Sequence, residues 1–216
     1  MGLSCLSNQA APIVGDTSTI INLNATGRAS AILRAIPNRF MITDVVLDEL
    51  REDVRSGRDD AQLAVWLIEE GLLSGVEIAS LAGNDFERLV AGKAAATLDD
   101  GEAATIAYAS EKQFTALIDE HKATKLCRAQ YSSLLIGSTG DLLTLETVEA
   151  QLGRASLADA AYQALTGARM RVLPQHLDWI VELIGPERVG QCESLPMRVR
   201  LPQNSASLKS TSRTGS

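Results

Sequence analysis

LDDGEAATIAYASEKQFTALIDEHKA, residues 98–123, is the stretch whose reading decides the fold. Ala103, Ile106, Ala109 and Ser110 recur at helical spacing, Asp99 or Asp100 stands where an N-cap belongs, and Gly101 and Glu102 fall in the first turn. Residues 115–118 read as a short buried strand, and Asp119 and Glu120 follow where it ends and the next helix starts. A helix rises ~1.5 Å per residue and a strand ~3.3 Å, so the strand returns in few residues what the helix has advanced. The segment from Glu102 to Asp119 therefore closes on itself, and two carboxylates are expected at one rim of a sheet.

Outward from this stretch the same alternation recurs. Residues 12–15 are a short apolar approach to Asp16, and Thr17, Ser18 and Thr19 lead into Ile20, Ile21 and Leu23. This is a strand and then a helix, with Asp16 at the strand's carboxyl end, where open parallel sheets place their ligand sites. A helix over 29–36 stops before Pro37, a strand follows at 40–42, and Thr43 or Asp44 caps a helix with Val46, Leu47 and Leu50 on its apolar side and Glu49 beside them. Helical spacing returns at Leu63, Trp66, Leu67 and Leu72, a strand is read at 76–78 and a short helix at 86–90. A strand at 133–136 enters a helix through Gly137, Ser138, Thr139 and Gly140, and amphipathic helices near 157–165 and 176–184 complete the pattern. The alternation implies an α/β three-layer sandwich, a short parallel sheet flanked by helices. The expected organisation is an unstructured stretch at 1–11, a domain at 12–150, a helical extension of that domain at 151–190 and a disordered basic tail at 191–216.

With 216 residues the chain fills one core, and with 45% hydrophobic but only 4% aromatic residues that core is built from Ala, Leu, Ile and Val. The net charge of −7 argues against a generally basic, nucleic-acid-coating surface but leaves room for a local basic groove. After Glu193 come Arg198, Arg200, Lys209 and Arg213 and no acid; removing those four charges from −7 leaves −11, so a basic protein partner is expected to suit the body. Cys5, Cys127 and Cys192 have neither zinc nor disulfide-framework spacing, which fits a reduced, cytoplasmic setting. Apolar runs such as 63–68 are far shorter than the ~20 residues of a membrane span, and the opening MGLSCL lacks both a secretory signal pattern and the hydroxyl residue of a myristoylation site.

Taken together, VGDTSTIINL, VVLDEL, LDDGEAATIAYA, ALIDEHKATKLC, IGSTGDLL and the C-terminal helix pair resemble the PIN domain over roughly residues 12–185. This is a family of metal-dependent nucleases that includes the toxin ribonucleases of VapBC-type pairs. The resemblance implies a cluster of carboxylates binding Mg2+ or Mn2+ at the sheet's carboxyl edge, with Asp16, Glu102 and Asp119 as the ligands and Glu49 binding metal or orienting a water. Crowded carboxylates cannot all stay ionised without a compensating cation, and hard divalent ions with oxygen ligands suit that role. Glu120 competes with Asp119 for the last position; Asp119 is favoured because it ends the strand directly. Ser18 matches the hydroxyl found two residues after the first Asp, and Ser138 and Thr139 are expected to hold a phosphate at a helix N-terminus. The implied function is a metal-dependent endoribonuclease acting on RNA, as the toxin of a toxin–antitoxin pair with a basic antitoxin-type partner, with a homodimer as its expected assembly.

Each acid also has a structural reading. Asp16 suits an N-cap, Asp99 and Glu102 have the spacing of a capping box, Glu49 alone suits a solvated helix position, and Asp119 and Glu120 favour a helix start electrostatically. His121 fits an exposed first-turn residue and His176 the start of the last helix. Trp66 and Trp179 fit core or interface anchors. Lys122, Lys125 and Arg128 face either a substrate backbone or solvent. Two other functions stay open: a catalytically silent PIN-like module whose acidic body binds a basic partner, and a phospho-accepting domain using Asp16, which leaves Glu49 and Glu102 without a task.

Overall fold

Both faces of the central strands are apolar, as burial under helices on each side requires. The computed structural model describes residues 6, 11–52, 59–80, 85–91 and 98–200. Among these, β1 (Ile13–Gly15), β2 (Phe40–Thr43), β3 (Ser74–Val76), β4 (Thr115–Leu117) and β5 (Ile136–Gly137) form one parallel sheet in the order β3-β2-β1-β4-β5. Val14 is in register with Met41 on one side and Ala116 on the other. Side chains alternate between faces: Ile13, Phe40, Ile42 and Leu117 enter one core, while Val14, Met41, Ala116 and Ile118 enter the other.

Helices α1 (Thr17–Ala25), α2 (Ala29–Ala35), α3 (Asp44–Glu52) and α4 (Asp60–Glu69) contribute Ile20, Leu23, Ile32, Val46 and Leu67 to the first core. The second is closed by α5 (Asp85–Val90), α6 (Asp100–Lys112) and α7 (His121–Gln130), through Leu89, Ile106 and Cys127. The chain then returns to the first face with α8 (Thr139–Leu143), α9 (Glu146–Leu152), α10 (Arg154–Gly167), α11 (Leu177–Ile184) and the short α12 (Pro186–Val189) and α13 (Met197–Arg200). The three-layer parallel sandwich expected from the sequence is the architecture observed.

Some boundaries differ. The third strand is Ser74–Val76, in register with Met41, Ile42 and Thr43, whereas Ile78 opens a 3-10 turn. The fifth is Ile136–Gly137, because those residues align with Ala116 and Leu117 while Leu134 turns back onto the Tyr131 carbonyl. The packed body also runs past the composition shift near Ser194: Cys192 and Leu195 are buried and α13 follows. Residues 201–216 of the expected tail lie outside the described residues, as do 1–5 and 7–10, while Leu6 is buried in the first core. Trp179 packs against that core, but Trp66 and Leu63 on α4 are exposed. No helix among the described residues is long and apolar enough to cross a membrane.

Strand order reverses between β1 and β4, so the connections from these neighbours lead to opposite sides. In an open parallel sheet the crevice beyond their carboxyl ends is the place for a ligand. Asp16 directly follows β1, and Asp119 lies two residues beyond β4.

Candidate functional site

Asp16 is the N-cap of α1: its Oδ1 accepts the Thr19 N–H at 2.7 Å. The Ser18 hydroxyl donates to the same carboxylate at 2.9 and 3.0 Å, and the Asp16 N–H bonds the Leu117 carbonyl, fixing the end of β1 against β4. The capping reading is thus correct, yet it does not exhaust the residue. Asp16 is 1% exposed and its field is coupled to Asp119.

Asp119 is held by three neutral donors. Asn22 Nδ2 on α1 reaches Oδ2 at 2.7 Å, and Thr139 supplies its N–H to Oδ1 at 2.8 Å and its hydroxyl to Oδ2 at 2.5 Å. Thr139 opens α8, where Ser138 and Asp141 form a reciprocal capping box. Ser138 and Thr139 therefore donate to carboxylates of the chain itself, Asp141 and Asp119. The other Asp141 oxygen meets His176 Nε2 at 3.0 Å. Burial raises the Asp141 carboxyl, but bonds from His176 and Ser138 outweigh it and hold it below the usual range.

At the start of α6, Asp99 Oδ1 caps the Glu102 N–H at 2.9 Å. The Gly101 N–H bonds Glu49 Oε1 of α3 at 2.8 Å, and the Thr17 hydroxyl donates to Glu49 Oε2. Glu102 is 7% exposed. The acids weighing on Glu102 are Asp99, Asp16 and Glu120, and Asp119 weighs on Asp16. Glu120 lies at the rim, exposed, capping α7 and paired with Arg171 at 3.0 Å.

Among the described residues the charged neighbours that weigh on Asp16, Glu102 and Asp119 are acids. Burial, then Asp119, pushes the Asp16 carboxyl up to about 7 despite the Thr19 and Ser18 bonds. Burial, then Asp99, Asp16 and Glu120, pushes Glu102 up to about 8. Burial also raises Asp119 against its Thr139 and Asn22 bonds, and Glu49 against those from Thr17 and Gly101. Among the described residues no three His, Cys, Asp or Glu side chains close into a ligand set, and the acids there offer carboxylate oxygens. Such a donor set fits Mg2+ or Mn2+. Mg2+ keeps several waters and is held by one or two carboxylates plus a substrate phosphate instead of an all-protein cage.

Beside the crevice, α7 carries His121, Lys122, Lys125 and Arg128, all exposed. Sequence reasoning did not find Thr17, Asn22, Asp141 or the role of His176. A polar Asn within the apolar run of α1 was the one available signal, since the partners lie 97 residues apart for Asn22–Asp119 and 35 for Asp141–His176.

Residues 12–185 match the family model DUF3368, described as a PIN domain. No curated protein and no solved structure matches the chain. The match spans the whole sheet, every acid of the crevice and the helices that orient them, and the chain belongs to the PIN domain family.

Proposed function

We propose that this chain is a divalent-metal-dependent phosphodiesterase that cleaves RNA internally. PIN domains are generally nucleases and typically use divalent metals. The observation that carries the reading is the cation deficit at the switch point: Asp16, Glu102 and Asp119 are buried, and the charged neighbours that weigh on them are acids. Perturbed carboxylates in a crevice are a functional signature with a physical basis.

Asp16, Glu102 and Asp119 would hold the Mg2+ or Mn2+, which when bound lowers the pKa of a water and stabilises charge on the phosphate. Ser18 and Thr19 orient Asp16, and Asn22 and Thr139 fix both oxygens of Asp119. Burial and the neighbouring acids push the Glu102 carboxyl up to about 8, and a bound cation would favour its ionised form. Glu120 completes the acidic set from the rim, where Arg171 balances it. A role as the cytoplasmic toxin of a pair, held by a basic antitoxin-type protein, is consistent with the acidic body.

Asp16→Asn tests the reading, because Asn caps a helix as well as Asp and removes the repulsion with Asp119. The variant is expected to unfold no earlier than the parent chain, yet to cleave single-stranded RNA in Mn2+ more slowly by on the order of 100-fold. Full activity in the variant, or in excess chelator, would refute it. Failure of Mn2+ to raise the unfolding temperature would favour the silent, partner-binding module instead.

A further inference from the structure

We infer that Glu49 is a positioning residue: its carboxylate locks the start of α6 onto the end of β1 and so sets the separation of Asp16 and Glu102, without itself binding the cation. The inference rests on the metal-site reading above only in naming what the lock spaces.

The geometry is specific. Thr17 follows Asp16 in the chain, and Gly101 precedes Glu102. One Glu49 oxygen accepts from the Gly101 N–H at 2.8 Å and the other from the Thr17 hydroxyl, so a single side chain of α3 grips the immediate neighbours of two acids on different elements. The Gly101 N–H is one of the first-turn donors that have no partner within a helix. Asp99 already serves the Glu102 N–H, leaving the Gly101 N–H for an acceptor from elsewhere. A carboxylate at that helix start is also favoured by the α6 dipole.

Glycine at position 101 is what permits the contact. A Cβ there would strike Glu49 Oε2, and would stand 2.5 Å from Thr17 Oγ1 and 2.9 Å from Glu49 Cδ. The carboxylate therefore lies against the α6 backbone, with one donor on each of its oxygens. Groups that orient ligands without touching a metal commonly alter its affinity about 10–100-fold when removed.

Two measurements on the full chain test the lock: Mn2+ titration by calorimetry, and hydrogen exchange of the Gly101 amide in metal-free protein. In Glu49→Gln the amide oxygen still accepts from Gly101 and the amide N–H donates to Thr17. This variant is expected to keep Mn2+ affinity within about threefold and Gly101 slow to exchange, whereas Glu49→Ala weakens Mn2+ about 10–100-fold and speeds Gly101 exchange. Thr17→Val, which removes one donor, shows the same direction at smaller size should Glu49→Ala not fold. If Glu49→Gln loses Mn2+ as severely as Asp16→Asn while Gly101 stays protected, Glu49 is a ligand and the inference is overturned. It is equally overturned if Glu49→Ala leaves Gly101 exchange unchanged. A parent chain that binds no Mn2+ refutes the metal reading alone, and the exchange arm still decides the lock.

Discussion

Gly101→Ala sets two well-characterised effects against each other. In an ordinary helix interior, Gly to Ala stabilises by about 1 kcal/mol, because Gly has more backbone entropy to lose. At this position the new methyl would overlap Glu49 Oε2 and crowd Thr17 Oγ1, so the carboxylate must shift, and its complete displacement sets the upper bound on the cost. Two hydrogen bonds to it are then lost, from Gly101 and Thr17. A bond to a charged group contributes about 1.5–3 kcal/mol. Since Glu49 is half-buried and regains water once displaced, the low end applies, about 3 kcal/mol for the pair. Subtracting the helix gain leaves a net loss of at most about 2 kcal/mol, or a fall in Tm of at most roughly 4–8 °C for a chain of this size. Differential scanning calorimetry of metal-free protein measures it, and no metal contributes to the result. A rise of roughly 2–4 °C, the value for helix propensity acting alone, would refute the claim that the carboxylate is seated on this glycine.

Metal-free stability should fall as pH rises from about 5 to 8. The Glu102 and Asp16 carboxyls titrate near 8 and 7 in the folded chain against 4.5 and 3.8 ordinarily, so the native state binds more protons than the unfolded state across that window. The slope is at most about 1.4 kcal/mol per pH unit for each carboxyl, and Mn2+ affinity should climb over the same range as those protons leave; a flat Tm–pH profile would contradict both. His176→Ala removes the partner of Asp141 Oδ1 and should cost about 1–3 kcal/mol in urea unfolding, more than a conservative His176→Asn. Equal stability of the two variants and the parent would show that α8 does not depend on this contact.

The sheet was legible because its determinants are local. Ile13 and Val14, Phe40 to Ile42 and Ala116 to Ile118 are short apolar runs bounded by capping residues, and each became a central strand or its direct continuation. Edge strands were less legible: Ser74 and Gly75 carry no strand signal, and only pairing with Met41 and Ile42 makes them one. The candidate acids stood out as carboxylates at element boundaries; the Asp16 cap was read from spacing, and of Asp99 and Asp100, both open as the next N-cap, Asp99 is the one that caps α6. What spacing could not give is which donors meet each carboxylate. Glu49 and Gly101 lie 52 residues apart, and Asp119 and Thr139 lie 20 apart. The bonds from Ser138 to Asp141 and from Thr139 to Asp119 went unread for this reason, since a free helix N-terminus and one filled by a distant Asp look the same in sequence.

The choice of partners explains how the fold can keep charge at its centre. Asp16 and Asp119 are oriented almost wholly by hydroxyl, amide and backbone N–H groups. Neutral donors fix a carboxylate's direction while leaving its net charge uncompensated. Among the described residues the ion-paired cations are spent elsewhere: Arg171 on Glu120 at the rim, Arg88 on Asp85, Arg154 on Glu149 and Glu182. An Arg inside the crevice would have stabilised the folded chain and abolished its appetite for a cation. Leaving the charge unbalanced lowers stability when the site is bare, and a ligand that binds only the native state returns it in proportion to its concentration over Kd. Under the proposed metal-dependent reading, the same electrostatics that make Glu102 and Asp16 hard to ionise would favour a species bringing positive charge into the crevice.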